Sequence, residues 1–203
     1  DLSGLMLDCA AFGVADPASL SFLDPPPTPA LTEARTLLRT LDAIDEAGRL
    51  TEQGESMRLL ALPVRLAHMV AEAAKTGHAR DAAELAMLLT ERGLGGDGVD
   101  LERRLMRFRG EKSPRANAAR QLALKLAHSA GSSSTATQEA AGTPGALLLH
   151  AWPDRVAKAR GEHGRFVLAN GSGAALDAAD PLAGEAFLVV ADLTGKAQNA
   201  RIT

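Results

Sequence analysis

Two runs of basic residues carry most of the chemistry that this 203-residue sequence offers. Arg155, Lys158, Arg160 and Arg165 form one, with Gly161 and Gly164 between them leaving the backbone accessible. Arg103, Arg104, Arg107 and Arg109, continued by Lys112 and Arg115, form the other. Lysine and arginine neutralise phosphates and release counterions, so either run can hold a nucleic-acid backbone. The second run reads equally well as the solvated face of a helix. Trp152, the one tryptophan, can stack on a base; beside an apolar helix it more often packs in a core.

Catalytic patterns are missing. Gly93-Leu94-Gly95-Gly96 and Gly171-Ser172-Gly173 lack the lysine of a phosphate-binding loop, and neither sits between a strand and a helix. The five histidines, His68, His78, His128, His150 and His163, are too scattered to put two on one metal ion. No serine is framed as a nucleophile elbow. Asp45 and Glu46 lie in a turn, where Asp favours the backbone geometry, so they do not read as a catalytic pair. Cys9 falls among Leu2, Leu5 and Met6 at helical spacing, which marks a packed thiol and leaves no second cysteine for a disulfide. What remains is binding.

The elements that must position these residues follow from composition and periodicity. Hydrophobic residues make up 46% of the chain but aromatics only 3%, so the core is built from Leu, Ala and Val in close-packed helices. Residues 1–100 hold 8 basic against 16 acidic side chains, and residues 101–203 hold 14 against 9. The excess of positive charge therefore lies in the second half, where it attracts phosphates despite the net charge of −3.

Leu2 to Phe12 reads as a helix ended by Gly13, and the prolines at 25–27 make an extended connector. Thr28 reads as the cap of a helix with Pro29 at its first position, lined by Leu31, Ala34, Leu38 and Leu41. A turn at Asp45–Gly48, a short extended piece at Arg49-Leu50 and a helix capped by Thr51 then suggest a small winged-helix unit. Leu66, Met69, Val70 and Ala73 mark the next helix. The stripes Ala82/Leu85/Ala86/Leu89 and Ala119/Leu122/Ala123/Leu126 predict a bundle, with Leu101, Leu105 and Phe108 also facing inward. Ser129 to Gly145 reads as a flexible linker. Leu147 to Lys158 reads as another helix, with Pro153 able to start a fresh turn. Phe166–Leu168 and Ala174–Leu176 flank Asn170-Gly171 as a hairpin, and Phe187–Ala191 reads as a buried strand before a turn at Thr194–Lys196. No apolar stretch is long enough to span a bilayer.

Several of these segments resemble a known family. Phe22–Pro27, Leu41–Asp45, Gly48–Thr51 with Gly54 and Met57, and Leu62–Met69 resemble the region that follows the second motor domain in DEAH/RHA-type helicases. Trp152–Ala157, Gly164–Gly171 and Asp180–Glu185 are similar to the bacterial HrpB group in particular. The resemblance runs nearly end to end, with the motifs in order.

It implies a mainly α chain with a β-rich C-terminal part. Residues 1–27 would be a leading helix and connector, 28–76 a winged helix, 77–128 a ratchet-like (HA2) helical bundle, and 129–145 a linker. Residues 146–203 would begin a partial, OB-like β domain. The parent would be a cytoplasmic, ATP-dependent helicase using ATP and Mg, with its hydrolytic motifs upstream of Asp1. Both ends of the chain look cut. The accessory region itself would hold no cofactor and turn over no ATP, and its partners would be single-stranded RNA or DNA and the motor domains of its own chain. A free-standing winged-helix regulator and a protein-interaction scaffold are the alternatives.

Overall fold

The computed structural model describes residues 1–131, 142–195 and 200–203. Most of the predicted linker, and Lys196 of the predicted turn, lie outside the described residues. Among the described residues eight helices form the first part: α1 (Ser3–Ala11), α2 (Thr28–Thr40), α3 (Glu52–Leu59), α4 (Val64–Lys75), α5 (Ala79–Thr90), α6 (Leu101–Gly110), α7 (Pro114–Ser129) and α8 (Pro144–Ala151). Side-chain caps fix several starts. Thr51 accepts from the Gly54 N–H at 3.0 Å, Ser113 from Ala116 at 3.1 Å, and Asp100 from Glu102 and Arg103 at 3.0 and 3.1 Å. Each satisfies a first-turn donor that the helix leaves unpaired.

One apolar cluster runs through all eight helices, from Met6 to Trp152. Helices α5 and α7 pack closely, and both bury mainly alanines: Ala82, Ala83 and Ala86 on one, Ala116, Ala119 and Ala123 on the other. Of the predicted stripe on α7, Ala119, Ala123 and Leu126 are buried and Leu122 is 48% exposed. Between α2 and α3 the antiparallel pairing is reduced to a single bridge, Ile44 with Leu50.

A second, smaller core lies inside a curled six-stranded sheet: β1 (Val156–Ala159), β2 (Arg165–Leu168), β3 (Gly173–Ala175), β4 (Phe187–Val189), β5 (Leu193–Thr194) and β6 (Ala200–Ile202). The strand order is β4-β1-β2-β3-β6-β5, antiparallel throughout except for the parallel β3–β6 pair. Ala157, Phe166, Leu168, Ala174 and Ile202 point inward. Asn170-Gly171 turns β2 into β3 as predicted, with Gly171 at φ +84.

The predicted helix Leu147–Lys158 is half right. Helix α8 stops at Ala151, Pro153 to Arg155 forms a 3-10 turn, and Val156–Ala159 is β1. A proline disfavours helical geometry in the residue before it, and Trp152 sits at φ −131, ψ 61. From Ala157 the in-out alternation of a strand takes over.

Helix α8 is tied to α4 by two polar contacts. Arg65 grips Asp154 with both terminal nitrogens, at 2.7 and 3.1 Å, and also donates to the Ala151 carbonyl at 2.8 Å. His68 places Nδ1 2.7 Å from the carbonyl oxygen of His150. Burial pushes the His68 pKa below its ordinary 6.5, outweighing the His150 contact and Glu72, which raise it. The folded state therefore binds fewer protons at this ring than the unfolded chain does. Stability at this site is fully present above pH 6.5 and is lost as pH falls below it toward the depressed value. Melting temperatures followed from pH 7.5 down to about 5.5 should decline less steeply for His68→Gln than for the wild type; parallel curves would remove the assignment.

Candidate nucleic-acid interface

The outer face of the sheet follows from strand pairing. In β1 and β2, Ala157, Phe166 and Leu168 are buried while Lys158 and Arg165 are exposed, so alternate residues face opposite sides of the sheet until Ala159, at the end of β1, is exposed as well. Pairing sets one outer row as Phe187, Lys158, Val167 and Gly173 across β4, β1, β2 and β3. The next row runs from Arg160, whose N–H donates to the Arg165 carbonyl at 2.9 Å, through Arg165 and Ala175 to Arg201 and Thr194.

Four cations thus share one face: Lys158, Arg160, Arg165 and Arg201, all exposed and none in an ion pair among the described residues. Gly173 and Ala175 keep the strip between them low. Arg165 and Arg201 also border a surface hollow of about 390 Å³ with Asp177 on its rim.

Arg155, expected in this group, is elsewhere. Its Nη1 donates to the Ala191 carbonyl at 2.8 Å, and the half-buried guanidinium has its pKa pushed down by burial and by Arg65. It braces the start of β1.

The second run does not gather on one surface. Arg103 pairs with Asp100 at 3.1 Å, one turn back on α6. Arg104 donates to the carbonyls of Leu88 and Leu94 at 3.0 and 3.4 Å, closing the end of α5. Arg109 pairs with Asp81 and, at 2.6 Å, with the buried Glu84 on α5. Arg115 pairs with Glu91 at 3.1 Å. Arg107 alone of the four arginines in α6 is exposed with no such partner among the described residues.

Two residues of the outer face escape the sequence reading. Arg201 reaches it through the parallel β3–β6 pairing. Phe187 is expected in a buried strand but is 61% exposed, because its pairing with Lys158 puts it on the outer face of the sheet. The Lys158 ammonium lies 6.0 Å from its ring centroid. Trp152 and Cys9 are both buried, and burial together with Asp8 raises the Cys9 thiol pKa.

Among the described residues no helix is long and apolar enough to cross a membrane. No family model matches the chain. The chain is 37% identical over 192 residues to the ATP-dependent RNA helicase HrpB of Escherichia coli K12, covering 93% of this chain and 22% of that protein. The crystal structure of the E. coli DExH-box NTPase HrpB superposes on all of this chain with a TM-score of 0.80 at 35% identity. A second, of the E. coli DEAH/RHA helicase HrpB, covers 96% of this chain with a TM-score of 0.78 at 34% identity. In both, the match takes up 24% of the longer chain. Alignment of sequence and fold over nearly the whole chain makes it homologous to a part of E. coli HrpB, about a quarter of that protein's length.

Proposed function

We propose that the chain is an accessory region of an ATP-dependent helicase, and that the outer face of its sheet carries a single strand of RNA or DNA for motor domains elsewhere in the same protein. The carrying observation is the set of four exposed cations without ion-pair partners among the described residues, on one face, in a chain where most other arginines of the two runs are engaged within the fold. Within this reading, 28–76 is the winged-helix unit, 77–128 the ratchet bundle and 146–203 the OB-like part, with α8 contributing to the helical core. ATP and Mg would bind the motor, and the exposed Phe12, Leu23 and Leu59 suit contact with it.

A major-groove reader is disfavoured. Helix α3, the one such a regulator would insert, carries Glu52 and Glu55, and its Arg58 is 3.5 Å from Asp8.

The test is a salt titration of single-strand binding by fluorescence anisotropy, with RNA and DNA oligonucleotides in separate arms. Each phosphate neutralised on a single strand adds about −0.7 to the slope of log K against log salt. Arg160→Ala, Arg165→Ala and Arg201→Ala combined should shrink that slope by about 2, so that the loss of affinity against the wild type grows about 16-fold between 200 and 50 mM salt. A slope unchanged by the triple variant would remove the sheet face from the reading. ATP turnover by the chain alone would contradict its non-catalytic part.

A further inference from the structure

The row that holds Lys158 does not fade into neutral surface at β4; it ends at an apolar hollow beside Phe187. Pairing of Val156 with Val189 and of Lys158 with Phe187 puts all four on the outer face. Helix α8 packs near the Val189 end of this edge. Between α8, the start of α6 and β4 lies a cavity of about 380 Å³, walled by Pro144, Leu148, Leu149, Leu182, Phe187 and Val189. That volume is in the range of small-ligand sites.

Its polar groups are few and unequal. Asp100 is occupied, capping α6 and holding Arg103. Glu102, in the first turn of α6, lines the cavity, is exposed, and has no hydrogen-bond or ion-pair partner for its carboxylate among the described residues. The hollow therefore offers apolar walls, one aromatic ring, one free acceptor, and at its edge the first of four cations.

A ligand that matches this has a flat, largely apolar body bearing an N–H donor, joined to repeating negative charge. We infer that the hollow receives one nucleobase of the strand whose phosphates follow Lys158, Arg160, Arg165 and Arg201. The base stacks against Phe187, and Glu102 accepts from its exocyclic amino group. This rests on the strand-carrying reading above and adds a base site to it. Stacking is tolerant of base identity, whereas the acceptor favours adenine, cytosine or guanine over uracil or thymine, which carry no exocyclic amine. The negative charge of Glu102 also keeps the phosphates on the cationic side of Phe187.

The experiment compares oligoadenylate, oligouridylate and an abasic strand of equal length, bound to the 203-residue chain and its variants. Oligoadenylate should bind tightest. Phe187→Ala should weaken it about tenfold while leaving the abasic strand and the salt slope unchanged. Glu102→Ala should narrow the gap between oligoadenylate and oligouridylate. Phe187→Trp should keep binding and be quenched by oligoadenylate but not by the abasic strand, against a buried Trp152 background. If the abasic strand and oligoadenylate bind alike with a normal salt slope, the base site is wrong and strand carrying stands. Equal weakening of both by Phe187→Ala would likewise overturn it, as would an apolar peptide filling the hollow without displacing oligoadenylate. If no strand binds at all, the strand-carrying reading falls first and takes the base site with it.

Discussion

Gly54→Ala should destabilise the helical part by more than about 3 kcal/mol, although alanine is by itself the better helix former by about 1 kcal/mol. Gly54 sits in the first turn of α3, and a Cβ added there would lie 2.1 Å from the Ala43 carbonyl oxygen and 2.7 Å from Leu50 Cδ1. No side-chain rotation relieves a clash with backbone. The Ala43 carbonyl is also held in place, because it accepts from the Thr51 N–H at 3.2 Å, and Thr51 in turn caps α3. Moving one loosens the other. Gly4, inside α1 with nothing within 4 Å of such a Cβ, supplies the contrast. Gly4→Ala should be neutral or stabilising by up to about 1 kcal/mol. Denaturant unfolding of the two variants should therefore move in opposite directions, and a midpoint for Gly54→Ala within error of wild type would refute the steric account.

Phe108→Ala should cost about 3–5 kcal/mol. Its ring is fully buried in the helical core, which is otherwise built almost wholly from aliphatic side chains and methionine. The guanidinium of Arg120 sits 5.4 Å from the ring centroid, and the same Arg120 donates to the Phe108 and Glu111 carbonyls, closing the end of α6. The substitution therefore opens a cavity and removes a cation–π contact at a helix terminus that depends on it. Phe108→Leu, which keeps most of the volume, should lose clearly less. Equal losses for Ala and Leu, measured as urea midpoints at constant m-value, would show that packing volume is not what the ring supplies.

Local signals in the sequence were legible wherever a short-range rule governs them. Thr51 caps α3 with its own side chain, the Asn170-Gly171 turn makes a hairpin, and Cys9 and Trp152 pack in the core; Thr28 is the exception, for it is the first residue of α2, whose N-cap is Pro27 with no side-chain bond. The fates of the arginines were not legible, because a run of charge does not say what each charge meets. Arg109 finds Glu84, and Arg104 finds the Leu88 carbonyl, through the packing of α6 on α5. Arg155 was counted with its neighbours, yet the 3-10 turn before β1 points it at Ala191.

Arg201 was the reverse case. Ala200-Arg201-Ile202 alternates small, charged and apolar, which marks an outward arginine, but nothing local announces that β6 lies beside β3. Phe187 was misread for a related reason. An apolar run does not say which of its residues face outward, and only the pairing with Lys158 shows that Phe187 does.

The placement of β6 bears on how the molecule is made. A strand formed by residues 200–202 lies inside the sheet, between β3 and β5, rather than at its margin. During synthesis the hairpin of β2 and β3 can fold as it emerges, but its neighbour β6 follows only after β4 and β5. The helical layer, whose core closes by Trp152, can be finished well before that. The helical core and the β2–β3 hairpin can therefore form before the surface that carries Arg201 is complete.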